Sequence, residues 1–481
     1  MDRRPPHLGT LTGDDRLGAG GSPTALDALL ADVRATLPDV RLLTDPADRE
    51  SYRRDEADHV AGGLPGAVAL PGSTADVAGL LRLAGIHGVP VVPRGAGSGL
   101  SGGSSGIEGG LTVVLSRMDR ILEIDRPNLC VVTQPGILNA ALRRAVEAEG
   151  LFYAPDPASM DICSIGGNLA TNAGGLCCVK YGQTRESVLA LEVVLADGTV
   201  IRTGGKSVKD VAGYSLTQLF VGSGGTLGII TEATLRLRPL PPPRSTLLAF
   251  FPTLDAACAA VAAIMSGGLA PVTLELLDRG TIAAVEDWHH LGLDVDAEAM
   301  LMVESDLPGA AAVEELDAAE LACLAAGAGS SMRSRDAQEA DWLRNARRLG
   351  LRALERIGAV RMEDVGVPRS RIAELLRAID SIGRRHGVRI ATFGHAGDGN
   401  LHPNLIFERD DPRADALAEA VRADLYRAAL ELGGTVTAEH GIGSVRREWL
   451  ELQRGTEAVR VMRAIKSALD PQGILNPGRI V

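Results

Sequence analysis

Two short stretches near the C-terminus gather the groups best suited to metal-assisted proton chemistry. The first is Gly394-His395-Ala396-Gly397-Asp398-Gly399-Asn400-Leu401-His402-Pro403-Asn404, and the second is Ala438-Glu439-His440-Gly441-Ile442-Gly443. The chain has nine histidines, and the other six (His7, His59, His87, His289, His290, His386) lack such surroundings. Two imidazoles and one carboxylate make a divalent-metal shell with a position left open. A fourth group, His440, is then left beside it to move a proton. The plainer alternative is that these histidines line polar turns.

The elements that must hold these groups are legible around them. Val388–Phe393 and Leu401–Phe407 read as strands, and the Gly-rich loop between them carries His395. A helix from Pro412 to Leu432 follows, then the turn with Glu439 and His440. Further back, Leu247–Phe251 reads as a strand and Leu254–Met265 as an Ala-rich helix. Helices are expected over Gly309–Ala326, Ala337–Ile357 and Arg369–His386. Such alternation predicts an α+β unit with an antiparallel sheet.

The proline run Pro239-Leu240-Pro241-Pro242-Pro243 is the clearest linker. It sets the expected division: residues 1–60 as an extension with the first helices, 61–239 as one domain, 240–481 as a second. Residues 1–23 are rich in Pro, Gly and Asp and are expected to fray. Thr24 to about Leu37 has helical periodicity. Beyond Pro65 come short strands at Ala67–Leu70, Val89–Val92, Leu111–Leu115, Ile121–Ile124 and Cys130–Thr133, with helices near Thr74–His87 and Leu138–Ala148. Strands Leu189–Leu195 and Thr199–Thr203 flank Ala196-Asp197-Gly198, a hairpin turn signal.

A chain of 481 residues with 45% hydrophobic content is long enough for two or three globular domains. A net charge of −12 argues against nucleic acid, which demands clustered cations. The six cysteines have no metal-ligand spacing, and Cys177-Cys178 is a vicinal pair. A reduced, cytoplasmic protein fits best. No apolar run follows Arg3-Arg4, so no secretory or twin-arginine signal is expected. No transmembrane segment is expected, and docking at a membrane periphery is left open.

Three glycine-rich segments precede the linker. Pro93-Arg94-Gly95-Ala96-Gly97-Ser98-Gly99-Leu100-Ser101-Gly102-Gly103 contains the letters of a dinucleotide fingerprint. That motif needs a helix to start at its glycines. Here Gly and Ser continue to Gly110 and a strand follows, so nicotinamide binding is rejected. Small residues still let successive backbone N–H groups converge on a pyrophosphate. The second segment runs Pro155-Asp156-Pro157-Ala158-Ser159, then Cys163-Ser164-Ile165-Gly166-Gly167-Asn168-Leu169-Ala170-Thr171-Asn172-Ala173-Gly174-Gly175. The third is Phe220-Val221-Gly222-Ser223-Gly224-Gly225-Thr226-Leu227-Gly228-Ile229-Ile230-Thr231. Together they can surround a long, flat, polar ligand.

Taken with the histidine stretches, these segments resemble the FAD-linked oxidases of the vanillyl-alcohol-oxidase type. The resemblance spans about Leu70 to Val481 and is to the D-2-hydroxyacid dehydrogenase branch, which includes D-lactate and D-2-hydroxyglutarate dehydrogenases and the flavin subunit of glycolate oxidase. It implies an α+β fold in which a two-subdomain FAD-binding domain is followed by an α+β cap with an antiparallel sheet. By motif, Pro93, Arg94, Gly95, Ala96, Gly97, Ser98, Gly99 and Leu100 would hold the pyrophosphate. Pro155, Gly166, Gly167, Asn168, Thr171, Asn172 and Gly174 would line the flavin, and Ile229 and Ile230 would contact the cofactor through backbone. Asn476, in Leu475-Asn476-Pro477-Gly478, would return to the flavin. Relatives with covalent FAD place a His in the first glycine loop; none is here, which implies non-covalent FAD.

The same resemblance assigns His395, His402 and Glu439 as metal ligands, His440 as base and Asn404 as a substrate contact. An arginine after Trp342 would bind the substrate carboxylate; Arg347 is the choice, with Arg344 and Arg348 close by. Zn²⁺ is the default for a His₂Glu shell, and Mn²⁺ or Fe²⁺ also suit it. Two departures stand out: Gly224 where the family usually has Glu, and Ser215 where an acid or amide is common. Ala438 and Arg446 replace the usual Gly and Lys. The implied reaction takes a D-2-hydroxy acid to a 2-oxo acid, with hydride passing to the flavin. A quinone, cytochrome, electron-transfer flavoprotein, iron–sulfur subunit or O₂ would then take the electrons, and a homodimer is among the states allowed. The competing readings are a non-redox transferase of the alkylglycerone-phosphate-synthase type and a non-catalytic flavin-binding subunit of a larger complex.

Overall fold

The computed structural model describes residues 23–57 and 60–481. Most of the stretch expected to fray (residues 1–22) lies outside them, as does His59.

The first half is built on two main sheets, and Leu151–Phe152 pairs with Arg238–Pro239 as a short third. The smaller main sheet has the order Arg41–Leu43, Ala67–Leu70, Leu111–Val114, Val91–Arg94. Its last three strands run parallel and Arg41–Leu43 joins antiparallel. The helix Thr74–His87 carries the chain from Ala67–Leu70 over to Val91–Arg94, parallel strands with Leu111–Val114 between them. Ser73 caps its start by accepting from Asp76 N, and Gly88 ends it in the left-handed region. That helix packs with Pro23–Thr36 over the sheet, burying Leu29, Val33, Leu80 and Leu81.

The second sheet is antiparallel, ordered Ile121–Asp125, Cys130–Thr133, Ile229–Arg236, Val188–Val194, Val200–Gly204. Its core takes Leu142 and Val146 from the helix Asn139–Glu147, and Ile165 and Leu169 from Ile165–Thr171.

After Pro239–Pro243 the chain enters an eight-stranded antiparallel sheet. Its order is Ser330–Arg333, Ser245–Phe251, Ala299–Ser305, Thr273–Asp278, Arg389–His395, Asn400–Phe407, Ala359–Met362, and Val365–Gly366 also pairs with Asn400–Phe407. Successive strand residues face opposite ways. Leu247, Leu274, Leu276, Leu301, Val303, Leu401 and Leu405 meet the helices Leu254–Ser266, Ala310–Ala325, Ile372–His386 and Ala414–Glu431 on one side. Leu248, Phe250, Leu277, Met300, Met302 and Phe393 face the other side, under Arg279–His289, Ala337–Arg348 and Gly350–Ile357.

The single helix expected over Ala337–Ile357 is two, joined at Leu349. Glycine weakens a helix interior. At Gly350 it also permits close packing, since a Cβ there would lie 3.3 Å from Phe393 and Thr281. The chain end returns to the first sheet. Val91 N donates to Ile474 O at 2.8 Å and Asn476 N to Val91 O at 2.7 Å. No described helix is long and apolar enough to cross a membrane. The six cysteines are unbridged.

Leu301, with 0% exposure, lies in the middle of the large sheet. Leu301→Ala is expected to destabilise by about 2–5 kcal/mol, the cost of a buried cavity. Leu321, 67% exposed, serves as control, and Leu321→Ala should change stability by no more than about 0.5 kcal/mol. Equal shifts in the thermal midpoints of the two variants would contradict this packing.

Candidate metal and flavin site

Alternation along three neighbouring strands puts Glu275, His395, His402 and Asn404 on one face of the large sheet, beside Leu277 and Phe393. His402 stands opposite Phe393 and His395 opposite Asn400, so the two histidines are diagonal neighbours. Their rings meet edge to face, with centroids 5.3 Å apart. The turn between the strands needs Gly399: its φ is +79°, and a Cβ there would run into Val367 O.

Glu439 and His440 arrive on the loop after Ala414–Glu431, and Asp364 ties that loop down. Its Oδ2 accepts the N–H groups of Ala438, Glu439 and His440 at 2.9, 3.0 and 2.9 Å, and Thr437 Oγ1 at 2.7 Å. Its Oδ1 accepts Asn400 Nδ2 at 2.8 Å, linking the loop to the histidine strand. Burial opposes the charge on Asp364, but His440, His402 and Arg446 hold its carboxyl below the usual range.

Glu439 Oε1 lies 3.5 Å from His395 Nε2 and 3.2 Å from His402 Nε2. One donor atom from each of the three residues falls within 4.8 Å of the others. Donors about 2.0–2.2 Å from a tetrahedral ion sit about 3.4 Å apart, so the set fits a divalent metal. His395 Nδ1 meets Glu275 Oε1 at 2.7 Å, the carboxylate partner that orients a metal-binding imidazole. His402 Nδ1 is buried with no such partner among the described residues. Burial disfavours charge on Glu439, yet His395 and His402 hold it well below the usual carboxylate range. A carboxylate kept ionised in a buried position is what a cation site requires.

His440 stands apart from this set. Its Nε2 is 3.8 Å from Glu439 Oε1, and its ring stacks on His402 with 15° between planes. Nδ1 is buried and without a partner among the described residues. Burial pushes the pKa of His440 down, favouring the neutral imidazole a base must be. Asn404 Nδ2 donates to Ala391 O and His402 O, and its Oδ1 is buried and unpaired.

The three candidate arginines part company. Arg344 is committed to Glu304 and Asp341. Arg348 is exposed, with Arg344, Glu304, Arg244 and Asp156 as its charged neighbours. Arg347 is buried, with Nε on Glu275 Oε2 at 2.6 Å and its guanidinium over the Phe393 ring. Its two Nη groups have no partner among the described residues.

The glycine segments converge. Ala96 N donates to Ser164 Oγ at 3.3 Å, setting the first loop on the start of the helix carrying Gly166 and Gly167. Gly97, Ser98, Gly99 and Leu100 donate no backbone hydrogen bond among the described residues. Such free N–H groups, with Gly97 at φ +79°, fit a phosphate cradle. Arg94 lies beneath, donating to Ser104 O, and Pro93 packs against Gly225. Gly222 N and Gly224 N bond Leu169 O and Ala170 O, docking the third segment on that helix. Asn476 Nδ2 bridges Gly103 O and Gly224 O.

Other residues expected at the cofactor also make contacts within the domain. Asn168 pairs with Asn139 and Cys163, and Thr171 Oγ1 with Gly167 O. Pro155 O accepts from Asn139. Ile229 and Ile230 are buried and pair with Val194 and Val193.

The two halves meet at the metal set. A Cβ on Gly174 would lie 2.5 Å from Glu439 Oε2. Asn172 Nδ2 holds Gln183 Oε1 at 2.7 Å, and Gln183 Nε2 reaches Ala438 O at 3.1 Å. Lys180 and Tyr181 both bond Asp306. Glu275, Asp364 and Gln183 were missed in the sequence. Glu275 alone left a signal, as a carboxylate inside the apolar run Thr273-Leu274-Glu275-Leu276-Leu277.

A two-sheet flavin-type domain joined to a cap with a His₂Glu set defines a flavoprotein oxidoreductase class. Residues 65–204 match the model of an FAD binding domain, and residues 240–480 that of the FAD linked oxidases' C-terminal domain. The glycolate oxidase subunit GlcD of Bacillus subtilis is 45% identical over 87% of this chain and 89% of its own length. D-lactate dehydrogenase of Anaerostipes hadrus is 35% identical over 92% of this chain and 94% of its own length. Among solved structures, p-cresol methylhydroxylase with substrate bound superposes with TM-score 0.80 at 17% identity, covering 97% of this chain and 98% of that one. The chain belongs to the FAD-linked oxidases.

Gly174→Ala is expected to displace Glu439 and weaken metal binding about tenfold or more, the usual cost of disturbing a ligand's support. Chelator competition followed by elemental analysis measures it. Wild-type metal affinity in that variant would contradict the contact.

Proposed function

We propose that the chain oxidises a D-2-hydroxy acid, of the glycolate, D-lactate or D-2-hydroxyglutarate type, to the 2-oxo acid, using non-covalent FAD and a divalent metal, Zn²⁺ first. The observation that carries this reading is the contact of Gly174, in a flavin-type segment, with Glu439 of the His₂Glu set. The relatives' names, glycolate oxidase subunit and D-lactate dehydrogenase, support the substrate class.

When bound, FAD supplies a two-electron acceptor and the metal supplies Lewis acidity toward the substrate hydroxyl. His395, His402 and Glu439 would hold the metal, and the glycine segments would hold FAD. The free Nη groups of Arg347 bind the substrate carboxylate in a fork that lysine could not reproduce. Asn404, with Oδ1 unpaired, faces the substrate from the sheet. Neutral His440 takes the hydroxyl proton on an unengaged ring nitrogen. Asp364 keeps base and ligand on one rigid loop. Electrons then leave to a quinone, cytochrome, electron-transfer flavoprotein or iron–sulfur subunit.

Anaerobic addition of D-2-hydroxy acids is expected to bleach the flavin absorbance of the purified protein. If no member of a glycolate, D-lactate and D-2-hydroxyglutarate panel does so, the proposal fails. His440→Ala should keep metal and FAD yet slow flavin reduction about 10²–10⁴-fold, the usual loss for a general base. Glu439→Gln should lose metal. Metal loss in His440→Ala would make His440 a ligand instead. Acid precipitation should release the flavin into the supernatant; colour remaining in the pellet would overturn non-covalent binding.

A further inference from the structure

Glu275 is fully buried, and its two oxygens serve two different partners. Oε1 meets His395 Nδ1 at 2.7 Å, and Oε2 accepts Arg347 Nε at 2.6 Å. His395 turns its other nitrogen to Glu439, and the two Nη groups of Arg347 have no partner among the described residues. The surroundings leave no slack. Met302 lies opposite Glu275 in the sheet, and the Arg347 guanidinium sits 4.4 Å from the Phe393 ring centroid. A buried carboxylate is stable only when paired, so both contacts are required of it.

Resting on the function proposed above, we infer that Glu275 is a positioning residue that fixes the spacing between the metal and the substrate carboxylate by holding His395 and Arg347 on its two oxygens. The hydroxyl and the carboxylate of a 2-hydroxy acid are on adjacent carbons, so the metal and the arginine must keep a constant separation. One rigid carboxylate shared between them does this without a flexible segment in between. Misplacement by about an ångström costs about a hundredfold in a well-oriented reaction.

The test uses the FAD-loaded protein and whichever hydroxy acid bleaches the wild-type flavin. Glu275→Gln should weaken metal affinity about tenfold or more by chelator competition. It should also raise KM on the order of tenfold, while thermal stability falls. Glu304→Gln breaks the equivalent buried pair with Arg344 on the next strand, so it should lower stability while leaving metal affinity and KM within about twofold. Glu275→Asp keeps the charge on a shorter stem and should restore part of the metal affinity. Arg347→Met should raise KM and spare the metal. Combined with Glu275→Gln, its effect on KM should be less than the product of the two, because both act on one unit. That cycle still decides the matter if Glu275→Gln folds poorly, since Glu275→Asp can take its place. Wild-type metal affinity and KM in Glu275→Gln, or independent effects in the cycle, would overturn the inference. A wild-type protein that no hydroxy acid bleaches would instead overturn the proposed function, so the two failures are distinct.

Discussion

Charge taken out of water must be paired, and here the pairing runs through strand alternation. Glu275, Arg347, His395 and His402 lie within the packed face of the large sheet, where an isolated ion would be prohibitive. Each has to find its partner in the same layer. A strand presents every second side chain to that layer, so Glu275 and His395 meet across neighbouring strands while Leu274 and Leu276 pack on the opposite side. A slip of one residue in register would turn the whole set away from the site. The apolar core behind the sheet therefore determines where the polar site can be.

The second condition is close approach between the halves. Glu439 completes the donor set, yet it lies on a loop and not on the sheet. Asp364 holds that loop from one side through three backbone N–H groups and Asn400. Gly174 meets it from the other, where even a methyl group would collide. Gln183 adds a bond from the flavin-type half to Ala438 O. The flavin-binding domain and the cap that carries the His₂Glu donor set thus share a wall, and the chemistry proposed above needs both sides of it. Asn476, bridging Gly103 and Gly224, closes the first half with the last residues of the chain.

Much of this arrangement was legible in the sequence. The sequence placed His395 in the loop between two strands; the strand Arg389–His395 in fact runs through it, which puts it on the same face as His402, and Glu439-His440 stood out by composition. Glycine density in three segments pointed to a backbone-lined cradle, and the free N–H groups of Gly97 to Leu100 agree with that use. Local reading failed where tertiary contact decides. Nothing in the run around Asp364 reveals that its carboxylate gathers a loop more than seventy positions away. The break at Leu349 is invisible to periodicity because Ala337–Arg348 and Gly350–Ile357 are both amphipathic. Asn168, legible as a polar residue in a flavin-type motif, spends its side chain on Asn139 and Cys163.

His395, His402 and Glu439 are proposed to form one divalent-metal centre facing the flavin side. X-ray absorption at the metal edge of the purified, FAD-loaded protein tests it most directly. The expected first shell holds two imidazole nitrogens and carboxylate or solvent oxygens at about 2.0–2.2 Å, with no sulfur. Loss of one nitrogen is expected in His402→Ala. A shell containing sulfur at about 2.3 Å, or an unchanged shell in that variant, would contradict it.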